Sequence, residues 1–166
     1  MKDVLVPELT KLRTMGWLLA LGLAGIAAEA AQASDREGLQ APLSGTVDLS
    51  TMGGSAYDHN RSQVTVIPEN GLIAYVEPKA ALRDVARAGT VMFRGKPFTH
   101  SGKIEGTAYA FKRGCPPAPY AVSGGYSAGN TTIVLRGAAP IRQGCEITGY
   151  SVRSPHAVLR FKSLMS

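Results

Sequence analysis

The chain has few of the residue types that usually reveal a function. It contains 1 tryptophan, 2 cysteines and 3 histidines in 166 residues. The tryptophan, Trp17, lies in an N-terminal apolar run, so the rest of the chain lacks the indole that often serves sugar-binding surfaces as a stacking platform. No cysteine or histidine has a second such residue at the short spacing of a metal site. We therefore expect no metal and no other cofactor.

Motifs for phosphate and nucleic-acid recognition are also missing. The sequence has no glycine-rich phosphate loop and no dinucleotide fingerprint before a predicted helix. It has no basic run with interleaved aromatic residues, the pattern typical of nucleic-acid surfaces. These absences exclude the common nucleotide-dependent enzymes, and we expect no nucleic-acid partner.

One hydrolase motif is present, in residues 125–129. Gly-Tyr-Ser-Ala-Gly matches the G-x-S-x-G pattern, in which a strand, a sharp turn and a helix expose the serine. The β-branched run that follows, residues 130–136, predicts a strand instead of a helix. We therefore interpret Ser127 as a hairpin-loop residue. A small serine hydrolase using Ser127 with a histidine remains the alternative function.

The three histidines offer little support for that alternative. His59, His100 and His156 each lie beside Gly, Asn, Ser or Pro, residues typical of loops. We interpret all three as exposed loop histidines. The sequence therefore predicts no catalytic residue, and we expect a binding protein rather than an enzyme.

The N-terminus has the three parts of a secretory signal peptide. Basic residues precede an apolar run at residues 17–28, and Ala31-Gln32-Ala33 supplies the small residues of a cleavage site. The apolar run is shorter than the ~20 residues that a membrane-spanning helix needs. We expect residues 1–33 to be a signal peptide, the mature protein to be periplasmic or secreted, and no transmembrane span to remain after cleavage.

The two cysteines and the charge follow from that location. In an oxidising compartment Cys115 and Cys145 are expected to form one disulfide. The formal net charge of +6 favours contact with anionic envelope polymers or acidic proteins. The same charge also suits a protein that is merely soluble, and both interpretations stay open.

The remaining pattern indicates one all-β domain at residues 63–166, preceded by a flexible arm at 34–62 with one edge strand at 43–49. Residues 78–88 predict the single short helix, about three turns long. Regularly spaced strands argue for a small antiparallel barrel or sandwich. They are expected at 63–67, 72–76, 90–94, 104–111, 120–123, 131–136, 145–152 and 158–162.

The leading function is a non-catalytic binding module for a protein or an anionic envelope polymer. A structural envelope protein that assembles through edge strands is a further alternative. Residues 90–95 and 132–137 are similar, which gives Arg94 and Arg136 matching places before a glycine. If the two strands are arranged alike, basic side chains gather at one end of the barrel. The binding residues expected on this basis are Arg94, Lys96, Lys112, Arg113, Arg136 and Arg142.

Cleavage is expected after Ala33, because a small residue occupies each of the two positions that signal peptidase reads. Mass spectrometry of the exported protein should identify Ser34 as the N-terminal residue. A full-length product retained in the membrane would contradict this expectation.

Overall fold

The computed structural model describes residues 45–165, and short antiparallel strands dominate this part of the chain. Single turns of 3-10 helix occur at Leu49–Thr51, Pro68–Asn70, Ala80–Leu82 and Ala128–Asn130. The strands are β1 (Ser55–His59), β2 (Ser62–Ile67), β3 (Leu72–Glu77), β4 (Val91–Gly95), β5 (Ile104–Ala110), β6 (Ala118–Tyr126), β7 (Thr132–Arg136), β8 (Ala139–Gln143), β9 (Glu146–Ser151) and β10 (Val158–Ser163).

Eight of these strands form a closed antiparallel barrel. Strands β2 to β7 pair in sequence order, β10 pairs with β7, and β1 closes the barrel between β10 and β2. The remaining strands, β8 and β9, form a separate two-stranded hairpin that is inserted between β7 and β10. The expected fold class, a small antiparallel all-β barrel or sandwich, is therefore confirmed, and of the two architectures the structure is the barrel.

Alternating side chains of the barrel strands fill its interior. Phe93 of β4 and Phe161 of β10 are fully buried, together with the branched side chains of Ile133 and Leu135. At one end of the barrel, Phe98 of the β4–β5 connection packs edge-on against Phe93, with ring centroids 6.4 Å apart. Large apolar side chains therefore occupy the middle of the barrel and the end at which β4 leads into β5.

The segment before β1 covers part of the outer surface. Leu72, Val91 and Tyr109 form a second buried cluster, against which Val47 and Leu49 pack. The edge strand expected at 43–49 is reduced to one bridge in the described residues, Thr46 opposite Thr90. Residues 43 and 44, and the signal peptide expected at 1–33, lie outside the described residues.

The flexible arm expected at 34–62 is wrong for residues 55–59, because these form β1. Tyr57 and His59 are buried while Asp58 between them is only partly so, which is the alternation of a barrel strand. Glycines before this strand and the polar Asp58-His59-Asn60 sequence gave it a loop-like composition. Strand β8 was also missed, because Pro140 and Arg142 interrupt its apolar character.

The helix expected at 78–88 is also wrong in its extent. Only Ala80–Leu82 forms a 3-10 turn, and further turns carry the chain to β4. Leu82 packs against the core, and Gly89, with φ of 82°, donates a hydrogen bond to the Tyr75 carbonyl over 2.8 Å. The connection between Glu77 and Val91 must cross the barrel end and pair with β3 again through Gly89 and Thr90, so its last residues cannot be helical.

The expected disulfide between Cys115 and Cys145 is confirmed, with the Cα atoms 5.1 Å apart. It joins the β5–β6 connection to the turn of the β8–β9 hairpin, and thus holds the hairpin against the barrel. A disulfide indicates an environment outside the reducing cytoplasm. Within residues 45–165, no helix has the length and apolar character needed to cross a bilayer.

Replacing both cysteines with serine should lower the thermal midpoint by about 10 °C. A disulfide that closes a loop of this length restricts the unfolded chain by roughly 3.5 kcal/mol, and each kcal/mol corresponds to a few degrees. Circular dichroism of the double variant measures the change, and the wild type in reducing buffer should show a similar loss. An unchanged midpoint in both samples would contradict a stabilising role.

Candidate functional site

The second end of the barrel contains a cavity of about 90 Å³, here called the barrel-end cavity. Strands β1, β3 and β5 end there, and β2, β6 and β10 begin there, so one antiparallel meander brings six strand ends to this opening. Met92, Phe111 and Leu159 supply apolar walls. The polar residues of the lining are His59, Asn60, Ser62, Tyr75, Lys79, Tyr109, Tyr120 and His156.

His59 is a buried side chain, so its interpretation as an exposed loop histidine is wrong. It is 7% exposed, and its ring stacks on Phe161 with centroids 4.8 Å apart. Its Nδ1 lies 2.8 Å from the Arg160 carbonyl oxygen, which can only accept, so Nδ1 must carry the proton. Burial lowers the pKa of His59, and the hydrogen bond to Arg160 only partly opposes this effect. The imidazole is therefore neutral, and Nε2 is an acceptor.

Two tyrosines, Tyr75 of β3 and Tyr120 of β6, line the same cavity. The Tyr120 hydroxyl donates to the His156 carbonyl oxygen over 2.7 Å. Burial raises the pKa of Tyr75 to about 12, and burial together with the proximity of Tyr75 raises that of Tyr120 to about 12. Both phenols therefore remain protonated at neutral pH and can donate hydrogen bonds.

Ser62 and Lys79 tie the cavity to its surroundings. Ser62 is directly opposite His59 in the β1–β2 pair, and its hydroxyl accepts the backbone N–H of Lys79 at 3.0 Å. The side chain of Lys79 also lines a second, larger opening. The β3–β4 connection is thus anchored where the two openings meet.

That larger opening is a cleft of about 590 Å³, here called the basic cleft. It is lined by basic residues Arg61, Lys79 and Arg83 and by acidic residues Asp58 and Glu77. Among the described residues, none of the three basic side chains takes part in an ion pair. The cleft therefore offers three cationic groups to a ligand, beside two carboxylates that can accept hydrogen bonds.

The β1–β2 turn places Arg61 at this cleft in an uncommon conformation. Asn60 and Arg61 have φ values of 52° and 69°, the left-handed region of a two-residue hairpin turn. Asn tolerates this region, but an arginine there is unusual, and glycine is the common second residue. The turn is tight, so Arg61 follows closely after the buried His59.

The structure does not bring the six sequence-predicted basic residues together. Strands β4 and β7 are separated by β5 and β6, so they run in opposite directions and their C-terminal ends lie at opposite ends of the barrel. Arg94 is opposite Thr107, whereas Arg136 is opposite Ser123. Lys96 follows β4 and therefore lies near the end opposite the barrel-end cavity. The two strands are thus not arranged alike, and the condition under which Arg94 and Arg136 would share one end of the barrel is not met.

The other three of these residues lie near the disulfide and are engaged there. Lys112 Nζ donates to the Gly144 carbonyl over 2.6 Å, and Arg142 Nη2 donates to the Pro116 carbonyl over 2.6 Å. Arg113 forms an ion pair of 2.5 Å with Asp84, and both partners are exposed. Lys112 and Arg142 therefore hold the hairpin in place, and their charges are directed to backbone oxygens.

Ser127 lies in the β6–β7 connection, as the interpretation of its motif requires. Its backbone N–H donates to the Thr132 carbonyl at 2.7 Å, and only a single 3-10 turn separates it from β7. The strand-to-helix elbow of hydrolases is therefore not formed here. His100 contacts the neighbouring Tyr126, with ring centroids 4.4 Å apart.

Lowering the pH from 7 to 5.5 should reduce stability through His59. Its folded pKa lies below the ordinary 6.5, so acid protonates the unfolded chain first and favours unfolding. The stabilisation is complete above about pH 6.5 and is lost as the pH falls through the folded pKa. Denaturant melts of His59→Gln should show a weaker pH dependence than wild type, while exposed His100→Gln should match wild type. An equal slope in wild type and His59→Gln would exclude this origin.

Within residues 45–165, no three His, Cys, Asp or Glu side chains lie close enough together to hold a metal ion. No family model matches the chain, and neither the curated proteins nor the solved structures contain a match. The functional conclusions below therefore rest on the geometry of the basic cleft and of the barrel-end cavity.

Proposed function

We propose that this protein is a non-catalytic binding module that acts in the periplasm or outside the cell and holds an anionic envelope polymer. The observation that carries the proposal is the basic cleft, in which Arg61, Lys79 and Arg83 line a volume of about 590 Å³ without ion-pair partners among the described residues. This volume lies within the ~300–1,000 Å³ of ordinary ligand sites.

Two arginines give the cleft a preference for carboxylate or phosphate groups. A guanidinium presents a planar fork of donors that matches both groups, and it stays charged at any physiological pH. Asp58 and Glu77 on the same cleft can accept hydrogen bonds from hydroxyl or amide groups of the polymer. A polymer that carries both acidic and neutral polar groups therefore fits the lining better than a simple anion does.

Further positive charge lies next to the cleft. Arg83 also lines a neighbouring depression of about 310 Å³ together with Arg87 and Asp84. Since Arg113 already pairs with Asp84, the guanidinium of Arg87 adds to the field of Arg61 and Arg83. Clustered cations increase the rate at which an anionic partner associates, and salt weakens this effect over a Debye length of ~8 Å.

The location follows from the disulfide and the expected signal peptide. The Cys115–Cys145 disulfide supports a location in an oxidising compartment, as the expected signal peptide does. The closed barrel supports the cleft, because Arg61 lies in the β1–β2 turn and Lys79 and Arg83 lie in the β3–β4 connection.

One observation favours the alternative of assembly through edge strands. The β8–β9 hairpin lies outside the barrel and exposes Tyr150 by 55% and Val152 by 73%. A two-stranded sheet leaves backbone groups unpaired along its edges, and these can pair with another chain. Concentration-dependent association of the purified protein would support this alternative.

Charge reversal in the cleft tests the leading proposal. Arg61→Glu combined with Arg83→Glu should weaken binding to polyphosphate and to alginate about tenfold or more, because both guanidiniums become repulsive. Isothermal titration at low and at physiological salt measures the affinities, and the difference should shrink as salt increases.

The matched control is Arg94→Glu combined with Arg136→Glu, which alters the net charge equally at the residues expected from the sequence. The cleft proposal requires that this control bind both polymers more tightly than the cleft variant does. Equal losses would leave only a general effect of net charge. A larger loss in the control would move the binding site to Arg94 and Arg136.

A further inference from the structure

One tyrosine that lines the barrel-end cavity has a hydroxyl without a hydrogen-bond partner among the described residues. Tyr75 is 3% exposed and lines the cavity, and no hydrogen bond to its hydroxyl exists within residues 45–165. The neighbouring Tyr120 differs, because its hydroxyl is bound to the His156 carbonyl at 2.7 Å. Among the described residues, the buried side-chain polar atom without a partner is Arg142 Nε, so the Tyr75 hydroxyl is accessible from the cavity and can donate to an occupant.

His59 supplies the complementary group. Because Nδ1 donates to the Arg160 carbonyl at 2.8 Å, Nε2 carries the lone pair of the ring and is an acceptor. Its contact in the structure is Asn60 Nδ2 at 3.4 Å, which is longer than an ordinary N–H hydrogen bond. The cavity thus combines a phenol donor from β3 with an imidazole acceptor from β1.

The size and the walls of the cavity limit what can enter. A volume of about 90 Å³ is well below the ~300–1,000 Å³ of ordinary ligand sites, so the cavity suits only a small group. Met92, Phe111 and Leu159 provide apolar contacts for the carbon atoms of such a group.

We propose that the barrel-end cavity binds a small neutral group that both donates and accepts hydrogen bonds, such as a primary amide or an alcohol. The Tyr75 hydroxyl donates to the oxygen of this group, and its N–H or O–H donates to His59 Nε2. This assignment does not depend on the basic cleft, although Lys79 lines both openings and a polymer in the cleft can extend a side group into the cavity.

Charged groups suit the cavity less well. Burial lowers the pKa of His59 and raises that of Tyr75, so the surroundings of both side chains oppose a buried charge. Of the ionisable neighbours of His59, Lys79 and His156 also line the cavity, and Asp58 lines the adjoining basic cleft. Among isosteric probes, a neutral amide is therefore preferred to a carboxylate.

Acetamide, acetone and acetate have the same number of heavy atoms and similar shapes, and they make a direct test. Acetamide should bind with saturation at concentrations on the order of millimolar, as expected for so small a ligand. NMR titration of the folded protein, followed at His59 and Tyr75, measures the affinity. Acetone can accept but cannot donate to His59, so it should bind about fivefold more weakly than acetamide.

Tyr75→Phe removes the donor and keeps the ring. It should weaken acetamide binding about fivefold, whereas Tyr150→Phe on the exposed hairpin should leave the affinity unchanged. Because the hydroxyl has no protein partner, Tyr75→Phe should also fold with a thermal midpoint at or above that of wild type. That result separates loss of the ligand contact from loss of structure.

Three results would overturn the proposal. The first is equal affinity for acetamide and acetone, and the second is an unchanged acetamide affinity in Tyr75→Phe. The third is tightest binding of acetate, which would make the cavity an extension of the basic cleft. Failure of the cleft variants to affect polymer binding would not bear on these results, so the two proposals fail independently.

Discussion

Closure of the sheet between β1 and β10 is the constraint on which the rest of the structure depends. The two strands pair through Tyr57 opposite Ser163 and Asp58 opposite Lys162, residues that are far apart in the chain. Without this pairing the sheet keeps two open edges, and His59 loses both the Arg160 carbonyl and the stacked ring of Phe161. Barrel, core and cavity therefore form together, and the slow step of folding is expected to be this long-range pairing.

Much of the fold could be predicted from the sequence because local signals agree with it. Asn70-Gly71 marks the β2–β3 turn, where Gly71 has φ of 62°, and β-branched runs mark most of the other strands. Strand β1 was missed because its burial is contributed by Tyr57 and His59 instead of aliphatic residues. The turns after Pro78 were mistaken for a helix because local periodicity does not report the width of the barrel end that they must cross.

The candidate site was much less predictable, since its residues meet only after closure. His59, Tyr75 and Tyr120 come from three separate strands, and no spacing rule connects them. A composition of Asp, His and Asn around His59 indicates a loop, yet the stacked Phe161 makes it part of the core. For Arg94 and Arg136 the local sequences match although the positions differ. Two strands lie between β4 and β7, so these two strands run in opposite directions and the arginines lie at opposite ends of the barrel.

The β8–β9 hairpin occupies a connection that the barrel does not need. Arg136 at the end of β7 is directly opposite Val158 at the start of β10, and the Gly137 N–H already donates to the Ala157 carbonyl at 3.0 Å. A tight turn could join these two strands without changing the order of any barrel strand. The hairpin is thus an insertion that the Cys115–Cys145 disulfide holds against the β5–β6 connection, and apart from the core residues Ala139 and Ile147 its sequence can change without altering the barrel hydrogen bonds. Variation in related chains should therefore concentrate there, while β7 and β10 keep their register.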